Sequence, residues 1–333
     1  MSRPTIHDVA ERAGVSKSLV SLVLQGSSSV AESKRQAVHN AIAELGYRPN
    51  WVARSLVAKR THAIGVMVSD LRNPFFPEIV EGIEEAAREA GYRIVIASGN
   101  RSPTREEEAL ETLLQMRTDG MILAGPILPM EAVIESSRDT PVVLLTRPSP
   151  GPSVDSVTND ERIGAALAVR HLYELGHQRI AHIHAGQAAG APGRQNGYES
   201  AMESLGLAGE IRLSEGAYTE EGGFRGARRL LRSASPPTAI FAPNDLAAIG
   251  ALNAIEEEGL RVPDHVSLVG YDNTYLAALR HIALTTIDQP RFEMGQRAVQ
   301  LLGERIEDKR EDTRRVVLPP SLVIRQTTGP PPP

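Results

Sequence analysis

From Ala63 onward the chain alternates short apolar runs with amphipathic stretches, and this alternation constrains the fold more than any other feature. The runs are AIGVMVSD (63 to 70), YRIVIASGN (92 to 100), GMILAG (120 to 125), PVVLLT (141 to 146), RIAHIHAG (179 to 186), TAIFAPND (238 to 245) and SLVGYD (267 to 272). Strands that are apolar along their whole length are buried on both faces, the condition of a parallel sheet covered by crossover helices. At 333 residues the chain exceeds what one core usually holds. The runs are therefore expected to divide between two doubly wound parallel sheets, an α/β body of two lobes with ligands at the carboxyl ends of the strands.

Polar residues stand where such a crevice needs them. Ser69 and Asp70, Asn100 and Arg101, Thr146 and Arg147, Asn244 and Asp245, and Asp272 with Asn273 each end an apolar run. Any one pair reads as a turn former, but their recurrence points to one shared site. The chain has no GxxxxGK[ST] loop, no GxGxxG after the first run, no HExxH and no GxSxG, so an enzyme is not expected. His182 and His184 share one strand face, yet no third ligand is near and packing is the simpler reading. No metal and no cofactor is expected. The acidic stretch Glu106 to Glu111 reads as a solvated helix face matched to the helix dipole.

The first 60 residues are different in kind. They hold nine Lys/Arg against four Asp/Glu, so a head of +5 precedes a body of −10 in a chain of net charge −5. A basic head on an acidic body implies a polyanion partner for the head alone. Within it, Ile6, Val9, Ala10 and Ala13 share one helical face, and Val20 and Val23 form the inner face of a second helix. Gly14 between them can take the left-handed conformation, and Ser16 is placed to cap the second helix. This all-α helix-turn-helix leaves Lys17, Ser18, Ser21 and Leu22 pointing outward, toward a major groove. A third helix is expected over Ala31 to Leu45, with Ala37, Val38, Ile42 and Leu45 inward and Gly46 as its stop. Pro49 and Asn50 then open a segment of about two turns, too short to be a stable helix alone.

TIHDVAERAGVSKSLVSLVL (5 to 24) and YRPNWVARSL (47 to 56) resemble the DNA-binding head and hinge of the LacI/GalR family of transcription regulators. NPFF (73 to 76), ELGHQRIAHI (174 to 183), NDLAAIGAL (244 to 252), GLRVPDHVSLVGYDN (259 to 273) and LTTIDQP (284 to 290) continue the resemblance through nearly the whole chain. The resemblance implies a periplasmic-binding-protein-like body and a repressor whose operator affinity is set by a small-molecule effector, a sugar or related polar metabolite, between the lobes. It puts base reading on Lys17 and Ser18, with Leu22 beside them, and phosphate contacts on Ser21 and Arg35. Asn50 and Arg54 contact DNA from the hinge, whose Leu56 wedges into a flexible central step of the minor groove. Effector contacts fall on Phe75, Arg194, Tyr218, Asn244, Asp272 and Gln289.

Four positions depart from the family pattern. Leu22 stands where Arg is common and cannot make the bidentate contact to guanine, so either a preference for a thymine methyl or weak readout is expected there. Gln25 replaces Asn, and Lys34 replaces Thr. Thr146 stands where many members carry Asp, which weakens the case for a simple sugar.

The expected organisation is a head over 1–48, a hinge over 49–61, an effector-binding core over 62–328 and a flexible tail over 329–333. Within the core, the N-lobe takes about 62–160 plus 291–320 and the C-lobe about 161–289. The expected partners are double-stranded DNA at a pseudo-palindromic operator, the effector, and a second copy in a homodimer joined around residues 76 to 90. Without a heptad-patterned tail, a tetramer built on a terminal bundle is not expected. No apolar run nears the roughly 18 residues of a membrane span, no signal peptide is evident, and no cysteine occurs. A cytoplasmic protein with no membrane partner is the expectation.

Overall fold

The computed structural model describes residues 4–24, 26–47, 60–149, 151, 154–307 and 310–333. Gln25 and the hinge residues Asn50, Arg54 and Leu56 lie outside the described residues, and the roles expected of them with it. The chain divides into two compact units, Met1–Thr61 and His62–Pro333.

The first unit holds α1 (Ile6–Arg12), α2 (Lys17–Leu24) and α3 (Glu32–Leu45). Thr5 and Asp8 close a reciprocal capping box at the start of α1. Gly14 takes φ +63°, and the Ser16 hydroxyl accepts from the Leu19 backbone N–H at 3.2 Å, so the corner between α1 and α2 is built from the residues that can make it. Val9, Ala10, Val20, Val23, Val30, Val38 and Ala41 form the core, with Ile6, Ile42 and Leu45 packed at its edge.

The second unit contains two six-stranded sheets. The N-lobe runs β1 (Ala63–Val68), α4 (Phe75–Glu89), β2 (Arg93–Ser98), α5 (Pro103–Gln115), β3 (Gly120–Ala124), α6 (Met130–Ser136), β4 (Val142–Leu145) and β5 (Val154–Asn159). The C-lobe runs α7 (Glu161–Glu174), β6 (Ile180–His184), α8 (Ala191–Ser204), β7 (Arg212–Glu215), α9 (Glu220–Leu231), β8 (Ala239–Phe241), α10 (Asp245–Glu257), β9 (Ser267–Asp272) and β10 (Thr285–Asp288). The chain then returns to the N-lobe for α11 (Arg291–Glu307) and β11 (Arg315–Leu318), and to the C-lobe for β12 (Ser321–Val323). The first sheet is ordered β11-β5-β4-β3-β1-β2 and is parallel throughout; the second is ordered β12-β10-β9-β8-β6-β7, with β12 antiparallel.

Each sheet is covered on both faces, as its unbroken apolar runs require. Val66, Val68 and Ile122 meet Ile79 and Ile83 of α4 and Met294 of α11, while Met67, Met121 and Leu123 meet Leu110 and Leu113 of α5. Helices α4 and α11 touch backbone to backbone: a Cβ on Gly82 would lie 2.1 Å from the Phe292 carbonyl oxygen. At the crossing into α11, Arg291 donates Nε to Glu78 of the N-lobe (2.9 Å) and Nη2 to the Asn273 carbonyl of the C-lobe (2.8 Å).

Three expectations need correction. The seven apolar runs are strands, but β5, β7, β10, β11 and β12 were not among them. β7, β11 and β12 are sheet edges with exposed positions, and β5 reads as polar, VDSVTN, although it is buried. Its Asp155 is fully buried because Arg305 donates Nε and Nη2 to it, each at 2.8 Å, with Arg310 and the Arg314 backbone N–H adding further bonds. Glu106 is likewise buried rather than solvated: its Oε2 accepts from the backbone N–H groups of Ile127 (2.7 Å) and Leu128 (2.9 Å). The terminal residues do not leave the body at 329, since the Gly329 carbonyl lies 2.9 Å from His177 Nε2 and its N–H donates to Ser267 Oγ at 3.0 Å.

Candidate functional site

On the head, α2 presents Lys17, Ser18 and Leu22 to solvent, Leu22 at 40% exposure, with Ser21 half-buried beside them. Val20 and Val23 supply the core side of this short helix, which leaves Leu22 outside the core. Arg35, expected on a phosphate, also makes bonds within the head. Its Nη2 donates to the carbonyls of Ser27 (2.8 Å) and Val30 (3.4 Å) and its Nε to Glu32 (3.2 Å), stapling the loop between α2 and α3.

In the body, a cavity of about 220 Å³ opens between the lobes at the carboxyl ends of the strands. Ser69, Asp70, Asn73, Phe75, Phe76, Arg101, Ile127 and Thr146 line it from the N-lobe, and Ala185, Ala188, Ala189, Arg194, Tyr218, Asn244 and Asp272 from the C-lobe. Five of the six residues expected to touch an effector are therefore together. Gln289 does not line the cavity: it stands behind Asp272 and donates Nε2 to its Oδ1 at 2.6 Å, a positioning contact. Of the strand-end polar residues, Ser69, Asp70, Arg101, Thr146, Asn244 and Asp272 reach the cavity. The others are taken up by neighbouring segments: Asn100 accepts from Arg72, Arg147 donates to the Pro126 and Leu128 carbonyls, Asp245 is enclosed by Thr274 and Thr286, and Asn273 donates to Asp288.

The C-lobe wall is built around Arg194. Its Nε and Nη2 engage Glu161 at 2.7 and 3.3 Å, its Nη1 donates to the Pro243 carbonyl, and its guanidinium lies 3.8 Å from the ring centre of Tyr271. Burial alone would lower the Arg194 pKa, but Glu161 and the neighbouring acidic groups raise it well above the ordinary value, so it stays charged. Asp272 sits 3.9 Å from Arg194 Nη1. Burial pushes its carboxyl above the usual carboxylate range, an effect that Arg194 reduces and the nearby Asp245 increases. Asn244 caps α10 by accepting from the Ala247 N–H at 2.9 Å, while its Nδ2 is buried in the cavity wall without a hydrogen-bond partner.

On the N-lobe wall, Asn73 accepts from the Phe75 N–H at 3.1 Å and turns Phe75 and Phe76 toward the cavity, their rings edge-on with centres 5.2 Å apart. Asp70 pairs with both Arg72 and Arg101. Phe76, Asn73 and Ile127 were not singled out from the sequence; NPFF carried the signal for the first two, but nothing local marks Ile127. His182 packs elsewhere, its ring stacked on Phe241 with centres 4.6 Å apart and its Nδ1 3.0 Å from the Phe241 carbonyl.

Residues 5–50 match the family model for bacterial regulatory proteins of the lacI family, and residues 169–328 match a periplasmic binding protein-like domain. The HTH-type transcriptional regulator DegA of Bacillus subtilis (strain 168) is 37% identical over 98% of this chain and 99% of its own length. The chain belongs to the LacI family. The ribose operon repressor of Haemophilus influenzae is another LacI-family relative, 35% identical over 97% of this chain and 98% of its own. The lac repressor dimer bound to operator and the anti-inducer ONPF has the same fold, with a TM-score of 0.88 and 33% identity over 98% of this chain and 100% of that one. As a LacI-family member the chain is a DNA-binding transcription regulator and not an enzyme, and its body is the effector-binding module. No helix among the described residues is long and apolar enough to cross a membrane.

Proposed function

We propose that this LacI-family regulator is a homodimeric repressor that holds a pseudo-palindromic operator with α2 of each protomer, and that a polar metabolite in the interlobe cavity sets its affinity for that operator. In this reading Lys17 and Ser18 read bases, Leu22 meets a thymine methyl, and Ser21 makes phosphate contacts. Arg35 orders the α2–α3 loop while its remaining donor serves a phosphate. Asn50, Arg54 and Leu56 belong to the hinge, with Leu56 as the minor-groove wedge.

The observation that supports an effector most directly is Asn244 Nδ2. A buried amide donor without a partner costs about 1–3 kcal/mol, and here it belongs to a residue in the wall of a cavity lined by both lobes, with Asp272 and Arg194 in the same wall. A hydroxyl oxygen placed there satisfies it. A ligand touching both lobes favours one lobe arrangement over another only through its differential affinity, and by the same amount DNA alters the affinity for the ligand.

The test is selection of bound sequences from a random duplex library by the full chain at two salt concentrations. Enrichment of a two-fold site with a central pyrimidine-purine step is the expected result. Steeply salt-dependent binding without enrichment overturns the sequence-specific reading.

A further inference from the structure

The N-lobe wall narrows the class of effector, an inference that rests on the cavity reading above. Asn100 and Arg101 both adopt left-handed backbone, φ +47° and +57°, a conformation that non-glycine residues keep only where surrounding contacts hold it. Here the Arg101 N–H donates to the Ser69 carbonyl at 2.8 Å, and its side chain is carried into the cavity lining. Asp70 accepts from the Arg72 backbone N–H (3.1 Å) and Nε (3.2 Å) through Oδ1, and pairs through Oδ2 with Arg101 Nε at 3.0 Å. The guanidinium is thus anchored by its Nε. Its two η nitrogens, the fork that grips a carboxylate or phosphate with two bonds, make no hydrogen bond among the described residues, and the side chain is 43% exposed.

Charge on this wall is unbalanced in the same sense. One carboxylate, Asp70, serves two arginines, and Thr146 in the same lining carries no charge. The opposite wall has another character: Asn244 offers an amide donor and Asp272 a carboxyl, groups that take hydroxyls.

We propose that the cavity takes an anionic polyhydroxylated molecule, its carboxylate or phosphate held by the η nitrogens of Arg101 and its hydroxyls by Asn244 and Asp272. A neutral sugar of the same size offers no counter-charge to the second arginine. On the C-lobe wall the Arg194 guanidinium lies 3.9 Å from Asp272, a positive charge beside that carboxyl which offsets its repulsion of such an anion.

The experiment is calorimetric titration of the full chain with matched pairs: glucose against gluconate and glucose 6-phosphate, ribose against ribose 5-phosphate, and inorganic phosphate alone. An anionic member should bind more tightly than its neutral parent by about tenfold or more, the effect of one charge-assisted pair of hydrogen bonds, and Arg101→Gln should erase most of that preference. Gluconate against glucose 6-phosphate separates a carboxylate ligand from a phosphate one. A neutral sugar that binds as tightly as its anionic partner and is lost in Asn244→Ala overturns the anion assignment while leaving the cavity reading intact. Binding that survives both Asn244→Ala and Arg101→Gln overturns the cavity reading itself. Inorganic phosphate binding as tightly as the phosphorylated sugars removes the polyol from the proposal, and no binding by any member of the panel overturns it.

Discussion

Asn159, the last residue of β5 in the N-lobe, donates its side-chain amide to the hydroxyl of Tyr271 on β9 in the C-lobe, 2.7 Å away. The same Tyr271 ring lies under the guanidinium of Arg194 and precedes Asp272 in the chain, so a cavity wall and a lobe crossing share one side chain. Tyr271→Phe keeps the ring and removes the bond, leaving Asn159 buried with its Oδ1 already unpartnered. The variant should lose about 1–3 kcal/mol of stability, and effector should change its operator affinity less than in the parent. Chemical unfolding and operator titrations with and without effector measure the two, and an unchanged effector response would remove Tyr271 from the coupling.

His182 gives the C-lobe a pH dependence. Burial lowers its pKa to about 3, against only weak compensation from the Phe241 carbonyl. The unfolded chain binds a proton at this side chain near pH 6.5 and the folded chain does not, so stability is present above 6.5 and declines as pH falls from there toward 3. The slope approaches about 1.4 kcal/mol per pH unit for one such group. His182→Phe, which retains the stack on Phe241, should flatten the melting-temperature profile between pH 6.5 and 5; a profile parallel to the parent's would show that other groups carry the dependence.

The Asp155 cluster is a buried charge matched by arginines from α11 and the segment before β11. Burial pushes its carboxyl up, but the bonds from Arg305 and Arg310 outweigh this and hold it below the usual range. Its contribution is therefore present above the unfolded carboxyl pKa and lost as pH falls through the lower folded value. Asp155→Asn leaves Arg305 and Arg310 facing a neutral amide and should cost about 3–5 kcal/mol, the range for breaking a buried pair. A loss under about 1 kcal/mol in thermal unfolding would place the cluster with surface ion pairs.

Gly14→Ala should destabilise the head by about 1–2 kcal/mol, because φ is +63° and the space around a new Cβ is open, so backbone strain is the whole cost. Helical circular dichroism of the full chain during melting reads it. Equal stability would mean that the corner relaxes.

Lys17→Ala should change which operator sequences are preferred rather than weaken all of them alike. Competition binding against a set of single-base operator variants distinguishes the two. Uniform weakening, with a salt slope reduced by about one, would assign Lys17 to a phosphate.

What the sequence determined by itself are the features whose cause is local. Gly14 and Ser16 mark a helix corner because few residues tolerate that backbone or cap that helix, and the unbroken apolar runs dictate parallel sheets because only two-sided burial suits them. The family resemblance pointed to Phe75, Arg194, Tyr218, Asn244 and Asp272, which line one cavity. Tertiary structure decided everything that depends on which distant residue answers a charge. β5 was illegible because the arginines that let Asp155 be buried come some 150 residues later. Glu106 looked like its solvated neighbours until the backbone of residues 127 and 128 folded over it. Gln289 stands behind Asp272 rather than in the cavity lining, and Arg101 becomes a cavity residue only because Asp70 and Ser69 hold it there. A polar side chain is assigned by its partner, and partners far apart in the chain meet only in the fold.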